Sequence, residues 1–138
     1  MKKYNVVIDT NVVVSSLLKR KSNPWQILQY VAEGKIVPLV NGEILLEYNK
    51  VLNRNKFDFN KKDIDICLLI IFKHCLCLDR MTTDELFIDK QDIVFYEIAL
   101  AARERGNSYL ITGNKKHFPE KPFVVSPREM VDIIKNNK

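Results

Sequence analysis

The chain has 138 residues, 46% of them hydrophobic and 28% charged, with only four glycines and five prolines. That length carries a full hydrophobic core in one domain, 1–138, and the composition excludes a disordered or fibrous chain. A net charge of +5 and a pI near 9.1 favour an anionic partner, nucleic acid included.

The longest apolar run, Ile66–Leu78, is broken by Lys73 and His74 and falls short of the roughly 18 residues a membrane span needs. Lys2 and Lys3 precede an apolar stretch, but Asp9 interrupts it and no small-residue cleavage site follows, so a cytoplasmic protein is expected. Cys67, Cys75 and Cys77 lack further ligands at zinc spacing and are expected to be buried, reduced thiols.

In chain order, Tyr4–Asp9 is a short β-branched run suited to a strand buried on both faces, ended by Asp9. Thr10 or Asn11 then caps a helix. Ser22-Asn23-Pro24 opens a second helix with an apolar stripe of Trp25, Leu28, Val31 and Ala32, stopped by Gly34. Lys35–Val40 is a second strand, and Asn41 caps a helix over Gly42–Asn53. After a polar loop, another helix covers Lys61–Cys75, followed by an extended piece near Cys77–Met81. Asp89 caps a helix through Arg105, ended by Gly106; Tyr109–Thr112 and Phe123–Ser126 are strands around the TGNKKHF loop, and Ser126-Pro127 starts a last helix. Strands alternating with helices imply an α/β fold with a parallel sheet covered on both faces, whose ligands bind at the carboxyl ends of the strands.

That rule gives Asp9 a place. A carboxylate at the end of an apolar strand needs a cap, a cation or a metal ion to offset its burial. Glu43 and Glu47 are four apart on one helical face, where like charges repel by roughly 0.2–0.5 kcal/mol. An exposed acidic pair accounts for them equally well. Glu43 suits the first turn of its helix, whereas Glu47, among Leu46, Tyr48, Val51 and Leu52, is the one expected to face Asp9. In IDKQDIVF one of Asp89 and Asp92 suffices as a cap; Asp92 is aimed at the cleft, with Glu97 a weaker candidate. Asp9, Glu47 and Asp92 have no evident buried basic partner, and three ionised carboxylates in one pocket require a cation. Mg²⁺ or Mn²⁺ suits oxygen ligands, and such an ion can bind a phosphodiester, activate a water and stabilise the leaving oxygen. An acidic metal pocket in a basic protein is what a nuclease requires.

VVIDTNVVVSSLL, EILLEYNKVL and DKQDIVFYEIALAARERGNSYLITGNKKHF, in this order and spacing, resemble the PIN-domain family over nearly the whole chain. The likeness is strongest to the compact bacterial VapC-like ribonucleases, toxins of toxin–antitoxin pairs. The resemblance implies a three-layer α/β/α sandwich and a Mg²⁺- or Mn²⁺-dependent endoribonuclease acting on single-stranded RNA. It makes Asp9 a direct metal ligand, Glu47 an acid that binds metal directly or through water, and Asp92 the third acid. It also implies a small antitoxin protein as partner and a homodimer, to which the apolar 64–78 segment contributes an interface unless it is core. Where the family often has a fourth acid, this chain has Asn114, whose amide can ligate a metal but adds no charge; weaker metal affinity is expected.

Thr10, Asn11 and Thr112 orient Asp9 or touch phosphate, with simple capping an equal account of the first two. Lys115, Lys116 and His117 stand where RNA phosphates would meet them, or are merely solvated. Phe57, Phe59 and Trp25 could stack on bases, although packing explains them too. A non-catalytic PIN module that binds RNA or protein is the alternative, prompted by Asn114. Haloacid-dehalogenase phosphatases need a second Asp where Asn11 stands, and response-regulator receivers need an acid pair and phosphoacceptor that are missing here.

Overall fold

Val6, Val7 and Ile8 are wholly removed from solvent, which is why their strand, β1 (Tyr4–Ile8), takes the centre of the sheet. In a computed structural model, which describes residues 2–137, the sheet also contains β2 (Ile36–Val40), β3 (Leu76–Cys77), β4 (Ser108–Ile111) and β5 (Val124–Val125). The order is β3-β2-β1-β4-β5 and every pairing is parallel. Six helices cover it: α1 (Thr10–Leu18), α2 (Asn23–Ala32), α3 (Gly42–Leu52), α4 (Lys61–His74), α5 (Ile93–Arg103) and α6 (Pro127–Asn136).

The chain steps from β1 to β2 to β3 in one direction, then returns across β1 to β4. Right-handed crossovers put the helices of those two journeys on opposite faces. Accordingly α2 packs with α1, α4 and α6, whereas α5 lies on β1, β2 and β4. The result is the three-layer α/β/α sandwich expected. Helix α3 touches α1, α4 and α5, so it joins the two helical layers. Strand order reverses beside β1, and the carboxyl end of that strand is where an open parallel sheet leaves a crevice.

Local signals set most boundaries. The Ser22 side chain accepts the Trp25 N–H, Asn41 Oδ1 accepts the Ile44 N–H at 2.9 Å, and Ser126 and Glu129 form a reciprocal capping box. Gly34 follows α2 with φ +81°, a left-handed turn that suits glycine.

Several expectations are corrected. The first helix is capped by Asp9, not by Thr10 or Asn11: the Asp9 carbonyl accepts the N–H groups of Val12 and Val13. The stripe of α2 is Ile27, Leu28, Tyr30 and Val31, leaving Ala32 exposed and Trp25 half-buried, because the helix packs against three others at once. Leu46 is exposed. The helix opened by Asp89 begins as a 3-10 turn, Lys90–Asp92, before α5. Of the thiols, only Cys67 is buried; Cys75 is half-buried, and Cys77 lies exposed on the edge strand β3. The chain beyond Cys77 runs irregularly to the 3-10 turn at Lys90. Among the described residues, no helix is long and apolar enough to cross a membrane.

Candidate active site

The register of the sheet builds the first half of the site. Ile8 pairs with Ile111 and Ile111 with Val125, so the residue after each strand meets its neighbour. The Asp9 N–H bonds the Ile111 carbonyl at 2.9 Å, and the Thr112 N–H bonds that of Val125 at 2.9 Å. The Thr112 hydroxyl then donates to Asp9 Oδ2 at 2.7 Å and accepts the Asn114 N–H at 3.0 Å. Asn11 Oδ1 accepts the Gly113 N–H at 3.3 Å, tying the loop after β4 to the start of α1.

Helices α3 and α5 supply the second half. A cleft of about 390 Å³ is lined by Asp9, Glu47 and Asp92 together with Thr10 and His117. Glu47 is carried into it because its neighbour Tyr48 is fully buried and donates its hydroxyl to the Ile8 carbonyl. Asp92 ends the 3-10 turn and starts α5. All three expected acids therefore face one cleft, from segments far apart in the chain.

Their electrostatics follow from that placement. Burial pushes the Asp9 carboxyl up to about 6; the hydrogen bond from Thr112 opposes this, while the charges of Asp92 and Glu47 reinforce it. Asp92 is also held above the usual carboxylate range, by burial first and then by Asp89, with His117 opposing. His117 Nδ1 lies 3.4 Å from Asp92 Oδ2. The acid trio still has no buried basic partner, but half-buried His117, expected only at the phosphate rim, stands beside Asp92.

Glu97 does not join the cleft. Its side chain is 8% exposed and receives Arg80 Nη2 at 2.6 Å and the Thr83 N–H at 2.9 Å, while Arg80 Nη1 also grips both oxygens of Glu43 at 2.8 Å. These bonds pin the irregular 78–89 segment across α3 and α5. Arg80 left no mark in the sequence, since its partners stand 37 and 17 residues away. Tyr48 was legible only as an apolar helix position. Arg54, which also lines the acidic cleft, follows the C-terminal end of α3 in a polar loop without periodic pattern.

Asn114 precedes a 3-10 turn, Lys115–His117, outside the residues lining the cleft; Lys115 is engaged by Glu129 at 3.0 Å, and Lys116 is exposed. Among the described residues, no three His, Cys, Asp or Glu side chains stand close enough together to hold a metal ion as they are. The carboxylate oxygens of Asp9, Glu47 and Asp92 are nonetheless of the donor type a hard cation takes. Among the described residues, buried side-chain atoms without a hydrogen-bond partner include Thr10 Oγ1 in this cleft, while Asp92 Oδ2 has only the His117 imidazole beside it, at 3.4 Å. Buried oxygens left unpaired beside a carboxylate of raised pKa are what a divalent ion would satisfy.

No curated protein matches the chain. A family model for the PIN domain matches residues 5–116, a span that takes in nearly all of β1, Asp9, α3 with Glu47, the Asp92 turn and the start of the loop after β4. PIN domains are generally nucleases, usually dependent on divalent metals. The acids that the strand ends and helices bring to one cleft all fall inside that match, and the chain belongs to the PIN-domain family.

Proposed function

We propose that the protein is a Mg²⁺- or Mn²⁺-dependent endoribonuclease that hydrolyses single-stranded RNA, acting as the toxin of a toxin–antitoxin pair. The observation that carries the reading is the convergence of Asp9, Glu47 and Asp92 on one cleft. These three would hold the metal, whereas Asn114 stands outside the residues lining the cleft. When bound, the ion supplies a Lewis acid for the phosphodiester and favours ionisation of the attacking water.

The protein's own residues do the rest. Thr112 fixes one oxygen of Asp9 and leaves the other for the cleft. Thr10 Oγ1 is an unspent hydrogen-bonding atom at the place where substrate and water would enter. His117 offers positive charge next to Asp92 when protonated. Hydrolysis forms one P–O bond to water as the ester P–O bond breaks, and the departing oxygen takes up a proton.

Exposed Ile66, Leu69 and Phe72 on α4, with Leu76 on the edge strand, support a homodimer or a contact with a small antitoxin. A second reading, a non-catalytic module binding RNA or protein, is favoured by Asn114 in place of an acid.

The test is cleavage of end-labelled single-stranded RNA with Mn²⁺, Mg²⁺ or EDTA. Cleavage is expected with either metal, none in EDTA, and at least ~100-fold less for Asp9→Asn. RNA binding without cleavage in any metal would select the second reading. Growth arrest on expression, relieved by an adjacent small open reading frame, tests the toxin role.

A further inference from the structure

The cleft has a wall that the acids do not explain. The turn after α3 places Arg54 and Phe57 on it, opposite in charge and polarity to Asp9 and Glu47. Three backbone bonds close this turn, from the N–H groups of Arg54, Phe57 and Asp58 to the carbonyls of Val51, Arg54 and Asn55. Asp58 takes a left-handed conformation, φ +50°. The chain then reverses so that Phe59 stacks on Phe57, ring centroids 5.4 Å apart and planes within 12°. Both rings are only half-buried. Arg54 is exposed and makes no ion pair among the described residues, although it lines a cleft containing three carboxylates.

A guanidinium not paired with carboxylates lining its own cleft is available to an external anion, and its fork matches a phosphate. An aromatic ring three residues away in the same turn offers a face for a base. The Lys56 ammonium lies 5.1 Å from the Phe57 centroid, but an exposed cation–π contact is weak enough to yield to a stacked nucleobase. We propose that Arg54 and Phe57, backed by Phe59, form a nucleotide subsite beside the acids: Arg54 binds a backbone phosphate flanking the scissile one, and Phe57 stacks an unpaired base. This rests on the nuclease reading above and gives it a physical basis for choosing single strands, since a paired base has no free face to offer. Stacking reads no base edge, so the subsite tolerates any base.

The experiment measures binding by fluorescence anisotropy in the Asp9→Asn background, where cleavage is expected to be at least ~100-fold slower. The probes are a labelled oligouridylate and an abasic ribose-phosphate chain of equal length. Phe57→Leu keeps apolar volume against the core and removes the ring, so it serves beside Phe57→Ala; Lys50→Ala, exposed on α3, is the control. Both Phe57 variants should weaken the oligouridylate ~5- to 100-fold and leave the abasic chain unchanged. Arg54→Ala should weaken both probes alike and reduce the slope of log affinity against log salt by roughly 0.7, one phosphate contact on a single strand. Folded Phe57→Leu and Arg54→Ala proteins that bind both probes as the parent does, while the unmodified protein still cleaves RNA, would overturn the subsite and leave the nuclease reading standing. An unmodified protein that neither binds nor cleaves RNA would remove both.

Discussion

The Tyr48 hydroxyl donates to the carbonyl of Ile8, the residue immediately before Asp9. That bond spans 40 residues of sequence and locks α3 against the end of β1. It orients the turn carrying Glu47 relative to the turn carrying Asp9. Burial holds the Tyr48 phenol well above its ordinary range, so it remains a donor at any working pH. Tyr48→Phe leaves a buried carbonyl unpaired and should lower stability by about 1–3 kcal/mol in urea unfolding. Its loss of RNA cleavage should exceed what the unfolded fraction explains, since Glu47 is no longer held.

Asp9 makes stability depend on pH. Its ordinary value is 3.8 and its folded value about 6, so between these the folded protein keeps a proton that the unfolded chain has released. The stability Asp9 contributes is complete below about pH 4 and is lost as pH rises through 6. The separation corresponds to about 3 kcal/mol. Without divalent metal, Asp9→Asn should be more stable than the unmodified protein at pH 8 by up to that amount. The gap should narrow below pH 6 and close by about pH 4, as followed by urea unfolding across a pH series.

Thr112→Val removes the hydrogen bond that opposes the upward push on Asp9. The carboxyl should then titrate above 6 in the metal-free protein, measured by NMR of the side-chain carboxyl carbon. Because a ligating carboxylate must be ionised, Mn²⁺ should raise the melting temperature less in this variant at pH 6 than at pH 8.

Arg80 neutralises a carboxylate that the fold has buried. Arg80→Ala leaves Glu97 without its cation and frees the 78–89 segment from α3, while the Met81 and Thr83 N–H groups still hold it to α5. The guanidinium side is 37% exposed, so the loss should be about 2 kcal/mol, below the roughly 3–5 kcal/mol of a fully buried pair. Adding Glu97→Gln should recover part of it, because the amide oxygen still accepts the Thr83 N–H. A double-mutant cycle in denaturant measures both.

Lys21 holds φ +66° at an exposed position between α1 and α2. A β-carbon is disfavoured there, whereas glycine is at ease. Lys21→Gly should therefore raise stability by about 0.5–1 kcal/mol, seen as a higher melting temperature with cleavage unchanged. A loss would mean that the Lys21 stem makes packing contacts worth more than the strain.

The β-branched run at Tyr4–Ile8, the Ser22-Asn23-Pro24 and Ser126-Pro127 starts, and Asn41 before its helix were all legible in the sequence. Each is decided by neighbours a few residues apart, through side-chain periodicity, a cap bond or proline's missing N–H. The acids at 9, 47 and 92 were legible as well, because a carboxylate beside an apolar run stands out against the cost of burying it. The partners of those acids were not. Thr112 reaches Asp9 only through the β1–β4 register, Tyr48 reaches Ile8 only once α3 joins the two helical layers, and Arg80 finds Glu97 across an irregular strap. Leu46 and Ala32 read as interior and lie in solvent, because periodicity defines an apolar face without saying how far neighbours cover it. Sequence alone determined the elements and the residues able to do chemistry; tertiary packing decided which carboxylates share a cleft and which are neutralised by an arginine. The reason is that local propensity acts over a turn of helix or a few residues of strand, while charge pairing and burial depend on distances set when the sheet closes.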